Sequence, residues 1–514
     1  MTTARAGALR SRALRSRAAD WERLFDRRGA VIVTVGALTL LSLLLRSMHL
    51  NSGFWIDEGI SVGVAHHHWT SIPNVLRQDG SPPGYYMLLG LWIRVFGDSE
   101  AATHTLSLIF VIATIPLSYA TGKSLHDRRT GLVCALLVAF TPYLTYYGQE
   151  TRMYALEGFL SMFATLAYVN GVLRERRVWA AALVPTLALM VYAHNWGLFF
   201  CLALLAATLA YGRDHLRTFG VVTIGVAILY LPWIPTVLSQ AKHTGAPWST
   251  VPSFHELFTA AGTVLGGDAP LVAFVVTAAA GLVSSARRLE RSLAAIVIVA
   301  VFSAWIVSQV SPAWTTRYFG VILGPAVVLA AAAIVRAGRL GAVALVAVLF
   351  LWWGYSVKDD KENARAITAE VAQYIHPGEL VISTHPEQVP VLRYYLGSGL
   401  RWATTLGPVE DPQVFDWRDA VDRLTAAQPA PTLDSLLRTV PPGREFVVVA
   451  PVFRDYRAWK APWTRLVWRR SRAWTRLLES NPRFHLEHHV VTDEIAVKHN
   501  YFKPVQAFVY RRLR

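Results

Sequence analysis

Charged residues are scarce in this chain of 514 residues. Asp, Glu, Lys and Arg make up 16% of it, while 53% of its residues are hydrophobic. A soluble globular protein carries about 25% charged residues. The deficit excludes an ordinary soluble protein, because it arises from many apolar runs of roughly 20 residues, the length that crosses a bilayer. Cysteine is almost absent. Cys134 and Cys201 both fall inside apolar runs, so neither a disulfide framework nor a thiolate zinc site is supported. Acidic residues are also few, 34 against 50 Lys and Arg, for a net charge of +16. On a soluble chain that excess would suggest nucleic acid. Here it sits in short loops between apolar runs and in an Arg-rich stretch over residues 1–28. Anionic lipid is the partner this pattern implies, and nucleic acid is not.

The apolar runs fill residues 29–356, and from 357 the composition becomes that of a water-soluble α/β domain. Three regions follow: a basic cytoplasmic tail over 1–28, a membrane domain over 29–356 and a soluble domain over 357–514. The first run, 29–48, lacks a small-residue cleavage site. It reads as a retained signal anchor, with a cleaved signal peptide as the alternative. Basic loops at Lys123…Arg129, Arg174–Arg177, Arg213…Arg217, Arg287…Arg291 and Arg336…Arg339 alternate with short loops nearly free of Lys and Arg. The positive-inside rule puts the basic loops and the N-terminus in the cytoplasm.

Residues 84–97 test that alternation. At about 1.5 Å per residue they would cover about 21 Å, short of a core about 30 Å thick. Tyr85, Tyr86 and Trp92 suit the membrane interface. The segment is therefore expected to lie along the outer surface. Spans are expected near 29–48, 100–121, 131–147, 153–173, 178–193, 197–212, 218–237, 270–286, 292–310, 318–335 and 340–356. That count, about eleven, leaves the C-terminal domain outside the cytoplasm. The expected fold is a polytopic α-helical protein of the cytoplasmic membrane, with juxtamembrane helices in its first outer loop and a C-terminal extracytoplasmic α/β domain.

This topology collects polar motifs on the outer face. They are Asp57-Glu58, Asp79 in Gln78-Asp-Gly-Ser-Pro-Pro-Gly-Tyr85, Tyr146–Tyr154, Tyr192-Ala-His-Asn195 and Ala313-Trp-Thr-Thr-Arg-Tyr318. A longer outer loop, about 238–269, carries Lys242, His243, Trp248 and Asp268. A carboxylate can take a proton from a hydroxyl nucleophile. Arg152 and Arg317 are isolated cations at membrane depth, suited to binding phosphate. Together they suggest sugar transfer from a lipid phosphate, a leaving group that needs its charge stabilised. Each residue also has a plain structural reading. Asp57-Glu58 would cap a helix, the arginines would snorkel to headgroups and His194 would be an interior histidine. Only their coincidence on one face argues for function. The His66-His-His68 run has ligand types without a ligand spacing.

In order, these motifs resemble the membrane-embedded GT-C glycosyltransferases. The nearest branch is the dolichyl-phosphate-mannose protein mannosyltransferase-like family, which includes lipid A aminoarabinose transferases. The resemblance covers about 29–356. It implies an inverting transfer of a sugar from a polyprenyl-phosphate donor to a hydroxyl of an envelope glycan, lipid or protein. It implies Asp57 as catalytic base, with Glu58 supporting it or contacting ligand. Gln149, Glu150, Arg152 and Tyr154 would lie near the donor, and Arg317 and Tyr318 would hold its phosphate. Asp79, His194 and Tyr85 would belong to the acceptor side or the cleft. Relatives often carry His before the Pro-Pro pair, where this chain has Ser81. No cofactor is required by this scheme, and no motif supports a divalent metal. Two rivals are a lipid-linked sugar transporter, which predicts internal repeats and broken helices, and a non-catalytic scaffold that binds envelope glycan.

In residues 357–514, strands are expected at Glu379–Ser383, Glu445–Ala450 and Val505–Tyr510. Helices are expected over 361–375, 386–397 and 416–426, with breaks at Pro429–Pro431 and Pro441–Gly443. Residues 456–477 interleave Tyr456, Trp459, Trp463, Trp468 and Trp474 with Arg and Lys. Membrane contact is the favoured reading of that stretch. Glycan binding and packing against the membrane domain are the alternatives.

Overall fold

The computed structural model describes residues 28–281, 287–355, 361–452, 459–492 and 504–513. The expected basic tail over 1–28 lies almost wholly outside the described residues, as does Tyr456. Six described helices are long and apolar enough to cross a membrane: Gly29–Arg46, Glu100–Leu125, Tyr154–Leu173, Arg213–His243, Arg288–Val310 and Thr316–Arg336. Helices Phe254–Val264 and Asp268–Gly281 form a pair bent by 84°. Arg177–Ala193, Gly197–Tyr211 and Arg339–Trp353 are apolar but shorter. The chain is thus a multi-pass membrane protein.

Two expected boundaries in the membrane domain change. The run read as one span over 131–147 is broken, with one helix over Arg128–Phe140 and a second over Pro142–Tyr147. Pro142 lacks the N–H needed to continue a helix but suits its first turn. The loop read at 238–269 is largely helical, with helices Ile234–His243 and Phe254–Val264. Ser253 and Glu256 cap the second reciprocally. Glu256 N donates to Ser253 Oγ at 3.3 Å, and Ser253 N donates to the Glu256 carboxylate at 2.7 Å.

Two helices form the centre of the membrane domain. Over an apolar stretch of 18 residues in each, 83% of the residues of Tyr154–Leu173 and 89% of those of Thr316–Arg336 are buried, against 22% for Arg213–His243. Small residues allow their approach. A side chain at Gly324 would collide with the Ser161 carbonyl. Ser161 Oγ donates to the Val321 carbonyl at 2.7 Å and accepts from Gly324 N at 3.0 Å. Arg152 and Tyr154 stand at or just before the start of the first central helix, Arg317 and Tyr318 at that of the second. Packing of the two helix cores therefore brings the four together.

The segment expected on the outer surface is a helix of 13 residues, Gly84–Phe96, covering about 20 Å at 1.5 Å per residue. Trp92 Nε1 donates to the Ala102 carbonyl at 2.7 Å. Tyr85 and Tyr86, read as interfacial belt residues, are instead fully buried. They face the Ile56–His66 helix and Arg152 rather than lipid.

The C-terminal domain is built on a mixed sheet of six strands: β1 (Leu380–Ser383), β2 (Arg401–Thr404), β3 (Gly407–Val409), β4 (Glu445–Pro451), β5 (Phe484–Val490) and β6 (Val505–Arg512), in the order β3-β2-β1-β4-β6-β5. β1 runs parallel to β2 and β4, and the other pairs are antiparallel. Leu380–Ile382 of β1 and Phe446–Pro451 of β4 are apolar runs because both sheet faces are covered. Val381, Val447 and Val449 pack on Ile367 and Val389, while Ile382, Phe446 and Val448 pack on Leu436 and Trp474. The proline pair at 429–431 begins a helix, Pro429–Arg438, rather than breaking one.

Of the tryptophan-arginine stretch, residues 462–477 lie in the helix Pro462–Glu479. Trp463 and Trp474 are fully buried and Trp459 is 5% exposed. These rings fill the domain interior and do not contact lipid, contrary to the favoured expectation. Arg465, Arg469, Arg472 and Arg476 line the exposed face.

Candidate active site

Asp57 and Glu58 open the Ile56–His66 helix. Neighbouring helical residues project about 100° apart, so the pair divides. Asp57 faces an open cavity, and Glu58 points into the protein.

Asp57 Oδ2 lies 3.3 Å from Arg317 Nη1 and 3.9 Å from Arg152 Nη2. Arg152 Nη1 donates to Ser61 Oγ at 3.0 Å, to Tyr86 Oη at 3.2 Å and to the Asp57 carbonyl at 3.3 Å. Arg317 lies over the rings of Trp55 and Tyr318, at 5.4 and 5.6 Å. Arg152 lies 5.7 Å from the Tyr154 ring. Hydroxyls and the Tyr154 ring fix Arg152, and the Trp55 and Tyr318 rings fix Arg317; each keeps an Nε without a hydrogen-bond partner among the described residues. The His194 ring lies 4.3 Å from that of Tyr318, tilted by 44°, and its Nδ1 accepts from Trp196 N at 3.2 Å. Burial, reinforced by Arg152 and Arg317, lowers its pKa to about 3, so the ring is neutral with its proton on Nε2.

Glu58 Oε1 accepts from His104 Nε2 at 2.7 Å, Thr151 N at 2.7 Å and Lys361 Nζ at 2.8 Å. Burial opposes its charge, but Lys361 and His104 outweigh burial and hold its pKa at about 2. Its Oε2 accepts from Trp55 N at 3.3 Å, the capping role open to an acid at this position. Glu58 is therefore a buried anchor, not a ligand contact. Glu150, close by, behaves oppositely. Burial first, then the charge of Glu58, raise its pKa to about 7 despite Lys361. Its Oε1 accepts from Trp55 Nε1 at 2.7 Å.

The cavity has a volume of about 500 Å³ and lies between the two domains. Asp57, Asp79, Arg152, His194, Arg317 and Tyr318 line it. Burial raises the Asp79 pKa, opposed by Ser81 and Arg152. Tyr154, Gln149 and Glu150 stand behind the wall, and so does Tyr85, which was assigned to the cleft. The three histidines at 66–68 diverge: His66 pairs with Asp98, His67 with Asp411 and His68 with Thr70. Among the described residues no three His, Cys, Asp or Glu side chains converge as a metal-ion cage.

Sequence reasoning missed Lys361, Glu387 and Trp417. Lys361 also donates to the Gln149 carbonyl at 2.7 Å. A lone Lys in a polar stretch carries no signal of burial.

Residues 80–238 match the family described as dolichyl-phosphate-mannose-protein mannosyltransferase. Comparison with curated protein sequences gives no match. Among solved structures, ArnT from Cupriavidus metallidurans in its apo state has a TM-score of 0.62 at 13% identity, over 93% of this chain and 97% of that one. The same protein bound to undecaprenyl phosphate gives 0.62 at 12% identity, over 94% and 98%. The Archaeoglobus fulgidus oligosaccharyltransferase with Zn and sulfate gives 0.52 at 13% identity, over 81% and 68%. The chain thus has the GT-C fold of membrane-embedded glycosyltransferases. Within it, residues 80–238 carry the mannosyltransferase family pattern.

Proposed function

We propose that this protein is an inverting glycosyltransferase that moves a sugar from a polyprenyl phosphate to a hydroxyl of an envelope acceptor. The observation that carries the reading is the Asp57 carboxylate bracketed by Arg317 and Arg152 at the cavity wall. The fold shared with a protein solved with undecaprenyl phosphate supports it.

In this scheme the acceptor hydroxyl attacks the anomeric carbon as the bond from that carbon to the phosphate oxygen breaks. Asp57 takes the hydroxyl proton, and polyprenyl phosphate leaves with the bonding electron pair. Arg317 and Arg152 stabilise the negative charge of the leaving group, acting where charge resides in the transition state. Before donor binds, those arginines neutralise Asp57. An arriving phosphate competes for them and frees the carboxylate to act as base. Neutral His194 adds a donor on Nε2.

By the alternation of basic loops, the site and the C-terminal domain lie on the outer face of the cytoplasmic membrane. No cofactor enters the scheme, and activity is expected to survive dialysis against EDTA. The test is turnover of a panel of polyprenyl-phosphate sugars by the purified full chain. Release of free polyprenyl phosphate supports the reading. A complete panel that neither binds nor turns over contradicts it.

A further inference from the structure

The cavity has a part that the chemistry above does not use. It is lined by Asn195 and Gln240 of the membrane domain, by Trp248 ahead of the bent helix pair, and by Glu387, Trp417 and Thr464 of the C-terminal domain. Three polar atoms there have no hydrogen-bond partner among the described residues: Asn195 Oδ1, Gln240 Oε1 and Trp248 Nε1. Buried polar atoms are nearly always paired, so such exceptions need an explanation.

The two amides are held in one orientation. Gln240 is 3% exposed. Its Nε2 donates to the carbonyls of Leu76 at 2.8 Å and Ser81 at 3.3 Å. Asn195 Nδ2 donates to the Gly80 carbonyl at 3.1 Å. Gln240 gives both N–H donors, and Asn195 one of its two, to carbonyls within residues 76–81, and each keeps a carbonyl oxygen for something else. That leaves two fixed acceptors and one fixed donor around open volume.

Flat apolar surface stands beside them. The rings of Trp248 and Trp417 are 4.4 Å apart, and Trp417 is backed by Phe415 at 4.6 Å and Trp463 at 5.3 Å. Main-chain bonds fix this wall: Trp417 N donates to the Gln78 carbonyl at 2.8 Å and Trp463 N to the Pro247 carbonyl at 3.1 Å. A ligand that suits both features has a hydroxyl-bearing edge and an apolar ring face. A lipid chain would leave the amides unpaired, at a cost in binding.

We propose that this part of the cavity is a saccharide subsite for the acceptor. The acceptor's sugar ring packs against Trp248, which Trp417 backs, and its hydroxyls bond Gln240, Asn195 and Trp248. The C-terminal domain thereby takes part in acceptor recognition. The proposal rests on the glycosyltransferase reading and narrows its acceptor to a glycan or glycosylated molecule.

The test uses the full chain in detergent. Binding of neutral methyl glycosides (glucoside, galactoside, mannoside and arabinoside) is measured by saturation-transfer NMR. Undecaprenyl phosphate binding is followed separately by thermal stabilisation. At least one glycoside is expected to bind. Gln240→Leu and Trp248→Phe, the latter keeping an aromatic ring, should each weaken it about fivefold or more, the effect of one lost hydrogen bond. Their affinity for undecaprenyl phosphate should stay within about twofold of wild type, a shift worth under ~0.5 kcal/mol. If undecaprenyl phosphate binds and no glycoside does, the subsite falls and the transferase reading stands. If neither binds, both fall. A glycoside held equally well by Trp248→Phe overturns the proposal. So does one displaced by a polyprenyl-phosphate sugar, which would assign the seat to the donor.

Discussion

The ammonium of Lys361 lies 2.8 Å from Glu58 Oε1, with both side chains shielded from solvent. The residue beside the proposed base is thus tied to the chain that enters the C-terminal domain. Removing one partner of a buried ion pair leaves an uncompensated charge and costs about 3–5 kcal/mol. Lys361→Met should lower the thermal midpoint of the full chain markedly, and Glu58→Gln introduced with it should recover part of the loss. An unchanged midpoint for Lys361→Met would show that the pair contributes nothing.

A second interdomain pair should make docking depend on pH. His67 Nε2 lies 2.8 Å from Asp411 Oδ2. The hydrogen bond to Asp411 raises the His67 pKa above 6.5, and the bond to His67 lowers that of Asp411 below 3.8. The histidine contribution is complete below pH 6.5 and is lost as pH rises through its folded value. The aspartate contribution is present above pH 3.8 and is lost as pH falls. Hydrogen-exchange protection over 410–419 should therefore be greater at pH 6 than at pH 8. His67→Gln should remove the difference.

Glu150 changes stability in the same direction as His67, through burial rather than an ion pair. Its folded pKa of about 7 exceeds the ordinary 4.5 because it is buried beside Glu58. The folded protein keeps a proton that the unfolded chain gives up, so stability declines as pH rises from 4.5 to about 7. Glu150→Gln keeps an acceptor for Trp55 and removes the titration. It should stabilise the protein above pH 7 and give no gain below pH 4.5, measured as thermal midpoints across pH.

Arg317→Ala should weaken undecaprenyl phosphate binding by about 10-fold or more, as expected for a charge-assisted contact. Arg317→Lys should restore it only in part, since an ammonium lacks the planar fork and the stacking on Trp55 and Tyr318. Wild-type affinity in Arg317→Ala would remove this residue from the phosphate clamp.

Much of the membrane domain was legible because lipid forces long apolar runs. The local breaks were not. Pro142 splits one expected span, and Ser253-x-x-Glu256 starts a helix inside an expected loop. β1, β4 and β6 were readable from apolar runs buried on both faces. β2 has four residues, and the edge strand β5 is largely exposed, so neither carries such a run. At the site, Asp57, Arg152 and Arg317 were visible as charges at membrane depth. The sequence does not tell which of two adjacent acids faces the cavity, because helix phase and Lys361 decide it. Tyr85 and Tyr86 were misread for a related reason: aromatic residues suit both an interface and a core, and here packing on the Ile56–His66 helix prevails.

The central claim is that Asp57 acts as the base. The direct measurement is polyprenyl phosphate release by purified wild type and Asp57→Asn with a donor that wild type turns over. The variant should keep the fold and donor binding and lose about 100-fold or more in turnover, the scale of general-base catalysis. Near-normal turnover in Asp57→Asn would contradict the account.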